Sequence, residues 1–211
     1  MKIQKASFAT ILIAFIGILA WAFYPATPAS PVEQLEIGAE APMTDVEVKD
    51  VSGEMLTLSE VAGENGLLVI FSCNTCPWVE KWEDRYNPIA DLAEEKGIGM
   101  IALNPNSTYR DRGDGFADMK ERADQQNYQF YYALDENNRM ADAFGANRTP
   151  HVFLFDSDYE LVYRGAIDDN ANSAENVDQH YLRNAVTQLA AGEEIATKTT
   201  KSLGCTIKRA R

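Results

Sequence analysis

A chain of 211 residues, 45% of them apolar, can bury one good hydrophobic core, and a second would stretch it. The formal net charge is −13, and setting Lys2 and Lys5 aside makes it two units more negative. No basic face is left to neutralise phosphates, which argues against nucleic acid as a partner, and the Lys208-Arg209-Ala210-Arg211 tail is too short to alter that.

In chain order, Lys2 and Lys5 precede an uncharged apolar run from Phe8 to Tyr24, followed by the proline-rich stretch Pro25 to Pro31. A positive start, an apolar run and a small-residue exit describe a signal peptide, with Ala20-Trp21-Ala22 or Thr27-Pro28-Ala29 as its cleavage site. Left uncleaved, the same run is a membrane anchor. Both readings put the body of the protein outside the cytoplasm, periplasmic or lumenal. Residues 32–42 form an extended lead-in broken by Gly38 and Pro42. Met43 to Val51 alternates as a half-exposed strand, Ser52-Gly53-Glu54 turns, and Met55 to Leu58 is a short strand. A helical turn at Ser59 to Val61 stops at Gly63, and Leu67 to Phe71 is a buried central strand.

That strand runs into Ser72-Cys73-Asn74-Thr75-Cys76-Pro77-Trp78. From Pro77 to Lys96, apolar positions Trp78, Val79, Trp82, Tyr86, Ile89, Leu92 and Ala93 recur at helical spacing, with a kink expected at Pro88 and Gly97 as the C-terminal cap. Two thiols at the first turn of a helix can close a disulfide with little backbone movement. The helix N-terminus stabilises a thiolate. This assigns Cys73 as the candidate nucleophile and Cys76 as the candidate resolving thiol.

Ile98 to Leu103 is a second apolar strand, so the unit is a right-handed parallel strand–helix–strand crossover. Asn104 to Gly115 is a polar loop longer than a minimal connector. Phe116 to Gln125 is a helix, Gln129 to Ala133 a strand, and Asn138 to Phe144 a helix capped by Gly145. Thr149-Pro150 leads into the strand His151 to Phe155, which turns at Asp156-Ser157-Asp158 and pairs back through Glu160 to Arg164. Asp178 to Ala191 is a closing helix, and the tail from Thr197 shows no periodicity. The expected organisation is a leader and spacer over 1–31, one domain over 32–196, and a tail over 197–211 that carries Cys205.

Six segments in this order resemble the thioredoxin superfamily, and within it the peroxiredoxin-like redoxins related to AhpC/TSA. They are Gly38 to Pro42, Phe71 to Trp78, Trp82 to Arg85, Arg148 to Phe155, Tyr163 to Asp169 and Leu203 to Lys208. The resemblance implies an α/β thioredoxin-like fold: a central mixed sheet flanked by helices, with an N-terminal strand extension and a helical insertion. It also makes Thr149-Pro150 a cis-proline loop facing the cysteines, with Thr149 and Pro150 positioning an extended partner chain. The expected activity is that of a thiol–disulfide oxidoreductase exchanging electrons with protein thiols and a redox partner protein, and no organic cofactor or metal is implied. Asn74-Thr75 between the cysteines differs from better-known relatives, so the direction of electron flow does not carry over.

Two other readings stand beside it. A peroxidase would resemble P-x-x-x-[T/S]-x-x-C; with Cys76 at the peroxidatic position, Val69 replaces the proline and Cys73 the hydroxyl residue, and only Arg148 matches. A copper- or zinc-binding metallochaperone would use Cys73, Cys76, Cys205 and His151 as soft ligands. Trp78 and Trp82 read as packing, Lys81 to Arg85 as a solvated face with local ion pairs, and Asp168-Asp169-Asn170 as a turn. His151 reads as a packed strand residue and His180 as surface. Cys205 is the odd cysteine: either a buried free thiol, or a third redox thiol that a flexible tail brings to the pair.

Overall fold

The structure, a computed structural model, describes residues 33–210, so the N-terminal leader and spacer expected over 1–31 lie outside the described residues. Among the described residues no helix is long and apolar enough to cross a membrane.

A seven-stranded sheet forms the centre. Its order is β2 (Met55–Leu56), β1 (Val48–Asp50), β5 (Tyr131–Leu134), β4 (Ile98–Asn104), β3 (Gly66–Phe71), β7 (His151–Phe155) and β8 (Leu161–Gly165). Strands β3, β4 and β5 are parallel to one another, while β7 runs antiparallel to β3 and β8 antiparallel to β7. All six residues of β3 are buried, as expected of a run that is apolar on both faces. Leu68 and Ile70 point to one side, joining Val79, Trp82, Tyr86 and Leu182; Leu67, Val69 and Phe71 point to the other, joining Leu58, Met140 and Phe144. The helices on these two sides are α3 (Tyr86–Glu95) and α6 (Tyr181–Ala190) on the first, α1 (Leu58–Val61) and α5 (Arg139–Ala143) on the second. This is the thioredoxin-like arrangement.

Local chemistry moves several boundaries. The strand expected over Met55 to Leu58 stops at Leu56, because Thr57 caps α1: its side chain accepts from Glu60 N, and Glu60 Oε2 accepts from Thr57 N at 2.8 Å. The single helix expected over 77–96 is two, α2 (Pro77–Trp82) and α3, joined by a 3-10 turn at Glu83–Arg85. Pro88 is the cause. Its ring would clash with the carbonyl four residues earlier, and the break places it in the first turn of α3, where no backbone N–H is needed. The stretch Lys81 to Arg85 is not a solvated face throughout. Glu83 is buried and accepts from Arg122 and Tyr128 of the helix α4 (Phe116–Gln126) and its following loop, while Arg85 pairs with buried Asp168 at 3.1 Å.

The tail is not loose. Thr200 N bonds the Arg164 carbonyl at 3.0 Å, Ile207 is buried in the core, and Lys208 N donates to Asn106 Oδ1 at 2.9 Å. Between these anchors β9 (Cys205–Thr206) pairs antiparallel with β6 (Arg148–Thr149). Periodicity cannot reveal a segment held by two backbone pairs and scattered polar contacts.

Candidate active site

Strand β3 ends at Phe71, and α2 begins at Pro77 with Cys76 as its N-cap residue in extended conformation. The proline suits the first helical position, where its fixed φ fits and no N–H donor is lost. Cys76, rather than Cys73, therefore stands at the N-terminus of the helix, where the Val79 N–H favours its thiolate. The apolar spacing likewise starts the helix at Pro77, but the thiol expected to be stabilised there, Cys73, stands three residues before the N-cap.

That turn is clamped by Asp114, a fully buried carboxylate at the end of the polar loop after β4. Its Oδ1 accepts from Asn74 N at 2.7 Å and Asn104 Nδ2 at 3.0 Å; its Oδ2 accepts from Thr75 Oγ1 at 2.6 Å and Asn106 Nδ2 at 2.9 Å. Tyr132 completes the cradle by donating to Asn74 Oδ1 at 2.9 Å. Arg110 holds the loop from behind through the carbonyls of Asp114, Asn104 and Asp135. Asp114 and Arg110 escaped the reading of the sequence. The one available signal was a long loop rich in Asn and Asp directly after a buried strand, since such loops tend to be functional.

The Thr149–Pro150 bond is cis and faces both thiols. Thr149 Oγ1 lies 3.2 Å from Cys73 Sγ, and Cys76, when protonated, donates to the Thr149 carbonyl at 3.1 Å. All three cysteines are free thiols. Cys73 and Cys76 are 2% and 3% exposed, whereas Cys205, on β9 opposite Thr149, is only half-buried. The structure thus brings together Cys73, Cys76, Thr149, Pro150 and Cys205.

Their acidities separate. The Cys73 thiol, offset by burial and then helped by the Cys205 thiol and the N–H groups of Val79 and Cys205, takes Cys76 from its ordinary 9.0 down to about 5. The Cys73 thiol moves up instead, through its hydrogen bond to Cys76, its burial and the negative charge of Asp114. Burial and then the neighbouring Cys76 raise Cys205 to about 11. The direction for the pair follows from placement: Cys76 caps a helix, and Cys73 sits by a carboxylate.

His151 is buried in β7 against the Phe153 ring, 4.5 Å between centroids, and its Nδ1 has no hydrogen-bond partner. Burial first, then Arg164 and Arg148, lowers its pKa to about 3, so it is a neutral packed residue. His180 is exposed. Among the described residues no group of three or more His, Cys, Asp or Glu side chains converges as a metal site. Arg148 Nη1 donates to the Gly204 carbonyl at 2.9 Å and so braces the tail. Trp78 and Trp82 pack on each other at 5.9 Å, and Trp82 Nε1 donates to Asp168 Oδ1 at 2.9 Å.

The model of the AhpC/TSA family matches residues 37–164. An uncharacterized conserved protein from Geobacillus kaustophilus shares 30% identity over 88% of this chain and 98% of its own, with a TM-score of 0.78. A hypothetical protein from Sinorhizobium meliloti 1021 shares 28% over 84% and 97%, with a TM-score of 0.77. A peroxidoxin from Mycobacterium tuberculosis shares the fold, at 14% identity over 75% and 98% and a TM-score of 0.56. No curated protein matches the chain.

Proposed function

The chain belongs to the AhpC/TSA family, redoxins of the thioredoxin superfamily, and is an oxidoreductase; from that premise we propose that it is a thiol–disulfide oxidoreductase in which Cys76 attacks and Cys73 resolves. The observation that carries this reading is the placement of Cys76 at the N-cap of α2, with its thiolate favoured, while the bond to Cys76, burial and then Asp114 keep Cys73 protonated.

The Cys76 thiolate attacks one sulfur of a partner disulfide, and the other sulfur leaves as a thiolate that takes up a proton. Once Cys76 is bonded to the partner it no longer accepts a hydrogen bond or carries charge. The largest influence holding the Cys73 proton is then gone. Cys73 passes its proton to the departing partner sulfur and attacks Cys76 Sγ, leaving the Cys73–Cys76 disulfide and a reduced partner. The reverse sequence reduces the enzyme's disulfide and oxidises the partner's thiols. Thr149 and Pro150 hold the partner's backbone beside the sulfurs. This inverts the roles expected from the sequence, because Cys76 and not Cys73 stands at the N-cap of α2.

The test uses the Cys205→Ser chain, so that only the pair can react. Incubated with glutathione disulfide, its Cys73→Ser derivative accumulates a mixed disulfide on Cys76, whereas its Cys76→Ser derivative traps little on Cys73. The opposite pattern restores Cys73 as the nucleophile. Peroxide reduction is a second reading, favoured by a thiolate at a helix N-cap; Val69, Cys73 and the engagement of Arg148 with Gly204 weigh against it. Peroxide consumption that stays at the rate of free cysteine separates the two. We further propose that the apolar segment Phe8 to Tyr24 carries this chemistry outside the cytoplasm, and that it tethers the body if uncleaved. Appearance of the protein in the cytosolic fraction of its native cell rejects that.

A further inference from the structure

We propose that residues Leu203 to Thr206 are a resident substitute for the partner strand, and that Cys205 forms a second disulfide with Cys76 that closes the site. The proposal rests on the thiol–disulfide reading above and goes beyond it.

Three observations carry it. First, β9 pairs with Arg148 and Thr149, so the chain's own tail occupies the backbone edge beside cis-Pro150. Second, the segment lies closely on that edge: a Cβ added at Gly204 would come 2.2 Å from the Thr149 carbonyl oxygen, so only glycine fits there, and Arg148 clamps the Gly204 carbonyl at 2.9 Å. Third, this register sets Cys205 opposite Thr149, whose carbonyl oxygen lies 3.1 Å from Cys76 Sγ, and packs it on the apolar cluster that holds Cys76; its thiol and backbone N–H favour the Cys76 thiolate. Cys205 is half-buried while Cys76 and Cys73 are nearly sealed, so the tail lies between the reactive sulfur and solvent. The tail is anchored on both sides of this stretch, at Thr200 and at Ile207 to Arg209, and the stretch itself is held by two paired residues and Arg148. A local lifting of Leu203 to Cys205 therefore opens Cys76 without unfolding the tail.

The sulfur chemistry balances with a partner disulfide as oxidant. Cys76 attacks the partner disulfide; Cys205 then attacks Cys76 Sγ, its proton going to the departing partner thiolate. The product is a Cys76–Cys205 disulfide that pins the tail to the edge and leaves Cys73 reduced. Attack of Cys73 on Cys76 Sγ breaks that bond, Cys205 leaves and takes up the Cys73 proton, and the Cys73–Cys76 disulfide forms with the tail free to lift. Oxidation at Cys205 thus closes the site, and Cys73 reopens it.

The experiment compares the full chain with its Cys73→Ser variant after oxidation by glutathione disulfide, with thiols blocked by N-ethylmaleimide and disulfides mapped by mass spectrometry. In Cys73→Ser the expected product is an intramolecular Cys76–Cys205 disulfide with no glutathione retained. A stable glutathione adduct on Cys76 with Cys205 alkylated overturns the proposal, as does full alkylation of both when the unmodified chain has formed Cys73–Cys76. If the unmodified chain forms no disulfide at all, the oxidoreductase reading itself falls. A second measurement addresses the gate. In the Cys73→Ser/Cys205→Ser background only Cys76 reacts, and Gly204→Val, which lifts the tail from Thr149, raises its maleimide labelling rate at least tenfold. An unchanged rate means the tail does not cover Cys76 and rejects the gate.

Discussion

Replacing Asp114 by Asn keeps the size of the side chain but removes the charge and turns one acceptor into a donor. In the structure four donors converge on the carboxylate, from Asn74, Thr75, Asn104 and Asn106. The two bonds to Oδ1 survive as neutral ones, each weaker by about 1 kcal/mol. Thr75 can rotate its hydroxyl and accept. Asn106 cannot follow, because flipping its amide would break the bond from Lys208 N to Asn106 Oδ1. Its Nδ2 is left facing another donor, at about 1–3 kcal/mol. Relief of a buried carboxylate returns about 1–2 kcal/mol, so the net loss is about 2 kcal/mol. Urea unfolding of the reduced protein reads this as a midpoint lower by about 1 M at unchanged slope. In a Cys76→Ser/Cys205→Ser background the same change makes Cys73 more reactive to maleimide at neutral pH, because the charge that raises its pKa has gone. A midpoint within about 0.2 M of the parent would show that Asp114 does not hold the turn.

In the reduced full chain, the Cys76 labelling rate rises with pH to a half-maximum at about 5, and Cys205→Ser moves that midpoint upward. A rate still climbing through pH 8 would contradict the thiolate placement. Because the folded pKa of Cys76 lies below its ordinary 9.0, its contribution to the stability of the reduced protein is complete above pH 9 and is lost as the pH falls towards about 5. Cys73 shifts the other way, and its contribution is complete below pH 9 and fades above it. Stabilising the thiolate stabilises the reduced form, so the Cys73–Cys76 pair is expected to be more oxidising than about −270 mV when equilibrated with glutathione; a value at or below that refutes the inference. Asp168→Ala strands the Trp82 indole N–H and takes the partner of Arg85 Nε, while the rest of that guanidinium keeps Asp84 and the Lys81 and Asn170 carbonyls, and thermal or urea unfolding should register a loss of about 2–3 kcal/mol. A loss below about 1 kcal/mol would mean that solvent replaces both partners.

Local sequence determined a good deal about this protein. The unbroken apolar run at Leu67 to Phe71 could only be a strand covered on both faces, Pro77 could only open a helix, and Gly97 followed by Ile98 could only end it and begin the next strand. These are short-range steric and burial rules, so the strand–turn–helix bearing the cysteines was legible without a fold. Matching motifs extended this to the cis-proline loop. Which thiol ionises was not legible, because acidity is the sum of fields from groups far apart in the chain. Cys76 owes its low pKa first to Cys73 and then to Cys205 from the tail and the Val79 N–H of α2, while Cys73 is opposed by Cys76, by burial and by Asp114 from the loop after β4. The same holds for the tail, whose hold on β6 depends on a glycine meeting a carbonyl and leaves no periodic trace in the residues themselves. Residue order alone put both cysteines at the end of β3, whereas the acidity of each thiol and its access to solvent depend on groups that only the fold brings beside them, since charge and burial are properties of neighbours in space.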